Sequence, residues 1–340
     1  FRRLLQEMEA QAPQGMPTKG LVLEGGFGSG KSHLLRDLQY LALEHNFVCS
    51  PIVISKETPF YNVATLFRSA INNALVPGKQ GDALTEVARE LNFQSPHYAE
   101  LYDWVHRQEH GCDSRFAATL YLYERMINDP ELSHRMIRFW AGDPLSNGQL
   151  KKYLQGCAPE TPYEFKKLTA QQLAWHRFQF SSRLMQAAGY KGWILLIDEA
   201  EIIGRYSFKQ RTKSYGEVAR WMGVLEEAVC PGISAIVALT DDFQSAVLEE
   251  KQDAQKIDQL CQDGEVGDEV AMAHAARSGI RLIEEESEPL VRPYDSMVDT
   301  LYEQLRGLHG SAYSWDPPPV SAVEKLSSTR MREYVRGWIT

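Results

Sequence analysis

The chain has 340 residues, 44% of them hydrophobic and 24% charged. These values fit one enlarged domain or two and exclude disordered, collagen-like and low-complexity classes. The formal charge is -9, from 36 basic and 45 acidic residues, which excludes a general polyanion binder but not a local basic site.

The first predicted element is a helix. FRRLLQEME opens directly at Phe1 with no initiator Met, so the chain is expected to be part of a longer protein. No secretory leader pattern is seen, and no apolar run reaches the roughly 18–20 residues that span a bilayer. A cytoplasmic location with no membrane contact is expected. The five cysteines, Cys49, Cys112, Cys157, Cys230 and Cys261, are odd in number and form no CxxC pair, which reads as reduced thiols.

LVLE, at 21–24, is a short apolar run suited to a buried strand. GGFGSGKS follows, and then HLLRDLQYLALEH with leucines at helical spacing. Gly25, Gly30, Lys31 and Ser32 fit the pattern G-x-x-x-x-G-K-[ST] in a strand, turn, helix context. Glycines let backbone N–H groups approach phosphate oxygens without a Cβ clash. The helix N-terminus adds partial positive charge. Lys31 would hold the β- and γ-phosphates and Ser32 would supply a hydroxyl ligand to Mg²⁺. With Gly26, Phe27, Gly28, Ser29 and His33 they form the candidate ATP cradle.

FVCSPIVIS, at 47–55, reads as a second strand. Residues 58–190 then read as mainly helical, with Pro and Gly breakers between segments. That is far more than one crossover needs, and predicts a helical insertion in the core. Its aromatics, Tyr121, Tyr123, Phe139, Trp140, Trp175, Phe178 and Phe180, fall at helical spacing and read as core rather than as a base-stacking surface. His106, His110, Cys112 and Asp113 cluster in sequence, but no second ligand pair follows at zinc-site spacing, and surface residues are the preferred reading.

WILLIDEAE brings a third strand, again a buried run, to an acidic tip. Asp198 would hold Mg²⁺, directly or through water, and Glu199 would polarise the attacking water. Glu201 is a weaker candidate. The next stretch carries Arg205, Lys209, Arg211, Lys213 and Arg220 against Glu217 alone. It suits DNA phosphates, an arginine offered to a neighbouring subunit's nucleotide, or a plain solvated helix. ISAIVAL, at 233–239, reads as a further strand ending in Thr240 and Asp241. Thr240 is placed to sense a γ-phosphate or position water, although a turn starter would look the same. Residues 280–283 are a candidate fifth strand. The tail SSTRMREYVRGWI reads as a basic helix suited to a lid, with Arg330 as the residue that would close on the γ-phosphate. Residues 241–288 hold 14 acidic and 4 basic residues, a net of -10, so the rest of the chain is near neutral.

The blocks LEGGFGSGKSHLL, VISKETP, LLIDEAEIIGRYS with SYGEVARWMG, and TRMREYVRGWI resemble the P-loop ATPases of BREX-type phage-defence systems, the BrxC/BrxD group. The GRYS to RWMG block narrows the resemblance, since P-loop and acid motifs alone fit many ATPases. It implies ATP and Mg²⁺ at Gly25 to Ser32 and at Asp198 and Glu199. It also implies defence-system protein partners, double-stranded DNA as a candidate partner, and action as an oligomer. The glutamate after Asp198 resembles the additional-strand, AAA+-like group of α/β P-loop NTPases. The expected layout is core at 1–57 and 191–290, helical insertion at 58–190 and helical lid at 291–340. The alternatives are an ATP-gated switch or scaffold with little turnover and, because DEAE resembles a DEAD-type motif, a helicase component. No second motor domain is recognisable for the latter.

Overall fold

The computed structural model describes residues 1–317 apart from 13–15, 108–111, 158–162, 226–229, 264–266 and 292–293, together with 335 and 338. Its strands are β1 (Leu21–Glu24), β2 (Val48–Val53), β3 (Trp193–Asp198), β4 (Ile233–Leu239) and β5 (Glu288–Pro289). They form one parallel sheet in the order β2-β3-β4-β1-β5. A P-loop-like α/β fold follows, with four strands where the apolar runs predict them.

Helix α1 (Arg2–Gln11) precedes the sheet and α2 (Lys31–Glu44) joins β1 to β2. Between β2 and β3 lie α3 (Val63–Asn72), α4 (Ala83–Arg89), α5 (Pro96–His106), α6 (Ser114–Arg125), α7 (Pro130–Trp140), α8 (Asn147–Cys157) and α9 (Ala170–Ala187). Local chemistry explains their starts. Asn62, Asp82, Ser95, Asp113 and Asp129 each accept backbone N–H bonds as N-caps. Pro96 and Pro130 stand just inside α5 and α7, where no N–H is needed. Thr169 and Gln172 close a capping box at α9. A short 3₁₀ helix (Ala200–Arg205) and α10 (Phe208–Trp221) lead from β3 to β4. A π-helical turn (Gln244–Glu249), α11 (Asp253–Asp263) and α12 (Asp268–Glu285) lead on to β5, and α13 (Asp295–Tyr313) follows.

Strand side chains alternate between two faces. Leu23, Cys49, Ile194, Leu196, Ile236 and Ala238 pack on α1 and α2. Val22, Val48, Trp193, Leu195, Ile197 and Val237 share a larger cluster with α3 to α10 and α12. Both faces are covered, so β3 and β4 read as unbroken apolar runs. Five of the seven insertion aromatics are core, Tyr123, Phe139, Trp140, Phe178 and Phe180 being at most 3% exposed, whereas Tyr121 and Trp175 are only partly buried. Phe178 meets the strand residue Trp193 at 5.4 Å.

Residues 280–283 are not a strand. They end α12, where Ala273, Ala276, Ile280 and Ile283 form one buried helical stripe. A four-residue apolar window cannot distinguish the two periods. The fifth strand follows at once, pairing Leu23 with Glu288 and Glu24 with Pro289. The acidic segment at 241–288 is not wholly solvated: Asp253 is 0% exposed and accepts from Nε and Nη2 of Arg211, at 2.6 and 2.7 Å. Arg211 is therefore a buried structural residue, not a phosphate contact. Arg205, Lys209 and Lys213 are the exposed cations of that stretch.

Candidate nucleotide site

The chain leaves β1 at Glu24 and turns through 25–30 into α2. Gly28 (φ 83°) and Gly30 (φ 108°) take left-handed backbone that L side chains rarely adopt, and Gly30 caps α2. The Gly25 amide donates to Leu239 O of β4 at 3.2 Å and Ser29 N donates to Gly26 O at 3.0 Å. Lys31 is 8% exposed, and its ammonium donates to Gly25 O at 2.6 Å and Gly26 O at 3.4 Å. Among the described residues no carboxylate pairs with it. A nearly buried ammonium held only by carbonyls favours an anion at the loop. The buried Ser29 hydroxyl is also unmatched.

β3 delivers its acids from the other side. Ser32 Oγ donates to Asp198 Oδ2 at 2.6 Å, although the residues are 166 positions apart. Asp198 Oδ1 accepts the Glu199 N–H at 2.9 Å. The structure thus brings Lys31, Ser32 and Asp198 together. Hydroxyl and carboxylate oxygens suit a hard cation such as Mg²⁺, with phosphate oxygens and water completing its shell. Glu199 is exposed and takes a left-handed backbone, φ 59°, where the strand breaks into the 3₁₀ turn. Glu201 on that turn is half-buried, and burial raises its pKa against the pull of Lys31.

β4 lies between β1 and β3, and Thr240 follows its last residue at the base of the loop. Thr240 is half-buried, and its carbonyl accepts from Phe243 N at 3.1 Å. Asp241 reaches further: a Cβ on Gly26 would stand 3.0 Å from its Oδ2. Its place at a strand's carboxyl end was the only sequence signal for it. Phe27 projects from the loop, 63% exposed. Arg330 lies outside the described residues.

The zinc candidates are engaged elsewhere. His106 stacks on Tyr102 and bonds Tyr163 Oη at 2.9 Å, while Asp113 caps α6. His110 lies outside the described residues. Burial raises the Cys112 thiol pKa. Among the described residues no group of three His, Cys, Asp or Glu side chains could hold a metal ion, and no helix is long and apolar enough to cross a membrane.

No curated protein and no solved structure matches the chain. A family model does: BREX system ATP-binding protein BrxC/D, over residues 2–252. That span holds the P-loop, the acid strand and β4, and ends before the tail block. Since it covers roughly three quarters of the 340 residues, the chain belongs to the family of BREX system ATP-binding proteins BrxC/D.

Proposed function

We propose that the protein binds ATP with Mg²⁺ at the P-loop and hydrolyses it, as an AAA+-like additional-strand ATPase of phage defence. The carrying observation is the 2.6 Å bond from Ser32 to Asp198, which joins P-loop and acid strand across β4. In this reading the amides of 25–33 and the Lys31 ammonium hold the phosphates. Ser32 and Asp198 hold Mg²⁺, which when bound offsets phosphate charge. Glu199 orients and polarises water, Thr240 contacts the γ-phosphate side, and Arg330 closes from a lid at 291–340. The core is 1–57 with 191–290, and 58–190 is its helical insertion. The protein then works in the cytoplasm as a homo-oligomer, with defence-system partners or on double-stranded DNA.

Phosphate release by purified Glu199→Gln should fall at least about tenfold while ATP still binds. Release at the parental rate would remove Glu199 from its role. Tight ATP binding without turnover in the parent, with and without double-stranded DNA, would instead identify an ATP-gated switch.

A further inference from the structure

Helices α9, α10 and α12 wall a cleft of about 980 Å³ that shares no residue with the P-loop or the acidic strand tip. Trp175 and His176 of α9, Lys213, Glu217 and Arg220 of α10, and Ser278 of α12 line it. Three polar atoms of this wall are buried without a hydrogen-bond partner: His176 Nδ1, Glu217 Oε2 and Arg220 Nε. Buried polar atoms are seldom left unmatched, so three in one cleft call for an explanation. Glu217 is 8% exposed. Arg220 Nε stands 3.4 Å from its Oε2, close enough for attraction but poorly directed for a hydrogen bond.

The chemistry of the wall is specific. The Arg220 guanidinium lies over the Trp175 ring, 4.8 Å from its centroid, a cation–π pair that lines the cleft. Lys213 adds an exposed second cation. Glu217 is the one acid among the described lining residues, and burial outweighs Arg220 to push its pKa up to about 7. Its carboxyl can therefore offer both a donor and an acceptor near neutrality. The volume lies at the upper end of small-molecule sites.

We propose that the cleft between α9, α10 and α12 is a second ligand site, for a nucleobase-bearing phosphate of mononucleotide size. The phosphate meets Lys213 and Arg220. The heterocycle edge meets Glu217, and the ring packs against the Arg220–Trp175 pair.

Calorimetric titration with AMP, GMP and ATP in turn tests this, using the full chain carrying Lys31→Ala to disable the P-loop. At least one of these nucleotides should still bind one-to-one. Adding Lys213→Glu, at an exposed position, or Ser278→Trp, which fills the cleft from α12, should each weaken that binding at least tenfold. Inorganic phosphate alone should bind at least tenfold more weakly than the nucleotide. Absence of binding to Lys31→Ala, or binding that neither cleft variant weakens, overturns the site. Phosphate binding as tightly as the nucleotide overturns recognition of the heterocycle. Each of these failures leaves the P-loop reading standing.

Discussion

Glu199 holds a backbone conformation that costs a non-glycine residue about 1 kcal/mol or more, at φ 59°. Its own N–H bond to Asp198 helps to hold it there, and the turn it makes separates the two acids. The motif LLIDEAE shows the acids but not that turn, because nothing in their identity demands a left-handed residue. Arg211 and Glu217 were still less legible. Their burial depends on helices packed around α10, and Arg211's partner Asp253 is 42 residues away. Glu217 has a consequence for stability. Its native pKa, about 7, lies above the ordinary carboxylate value of 4.5, so the native state binds the extra proton between those values. Stability then falls as pH rises through that window. Between pH 5 and pH 8 the parent should lose stability relative to Glu217→Gln, by a few kcal/mol at most, as read from paired urea midpoints. A constant difference across that range would show that Glu217 ionises normally.

At the level of elements, α10 and α12 approach as closely as small residues allow. A Cβ on Gly279 would stand 1.8 Å from Tyr215 O, and Gly216 faces Ala275 and Ala276. Backbone cannot yield as a flexible side chain does, so overpacking here forces the helices apart. Gly279→Ala should cost at least about 2 kcal/mol and lower the thermal midpoint by several degrees, while Gly307→Ala, with open space around it, should leave the midpoint almost unchanged. Helix α12 was half-legible. Its apolar stripe shows only when 273–283 are taken together, and the end 280–283 alone reads as strand. β3 and β4 were legible at nearly full length because two covered faces leave an unbroken apolar run. β5 could not be read, since Glu288 and Pro289 lack strand character. Pro289 is tolerated because β5 pairs on one side only, at the sheet edge.

Across the whole molecule, the family match and the folding unit do not coincide. Asp253 is the first residue past the matched span of 2–252, yet it pairs with Arg211 and accepts the Tyr215 hydroxyl at 2.7 Å. A chain cut after 252 would strand a buried guanidinium, at a cost of about 3–5 kcal/mol, and uncover the face of α10 that packs on α12. The fragment 1–252 should aggregate or melt without a cooperative transition in circular dichroism. The fragment 1–290, which keeps α11, α12 and β5, should melt cooperatively. Equal behaviour of the two would show that the region past 252 adds nothing to folding. The strand order carries a different consequence. β1 and β3 are not paired; each is bonded to β4, so the strand backbones that launch the P-loop and the acid tip stand two strand spacings apart, about 9–10 Å, and the Ser32 and Asp198 side chains close that gap. β4 acts as a ruler between them. Its length scale is set by backbone ladders, and changing it would mean breaking hydrogen bonds in a buried sheet. Any adjustment to a ligand's size must come from the loops and side chains at the strand ends, while the gauge itself stays fixed.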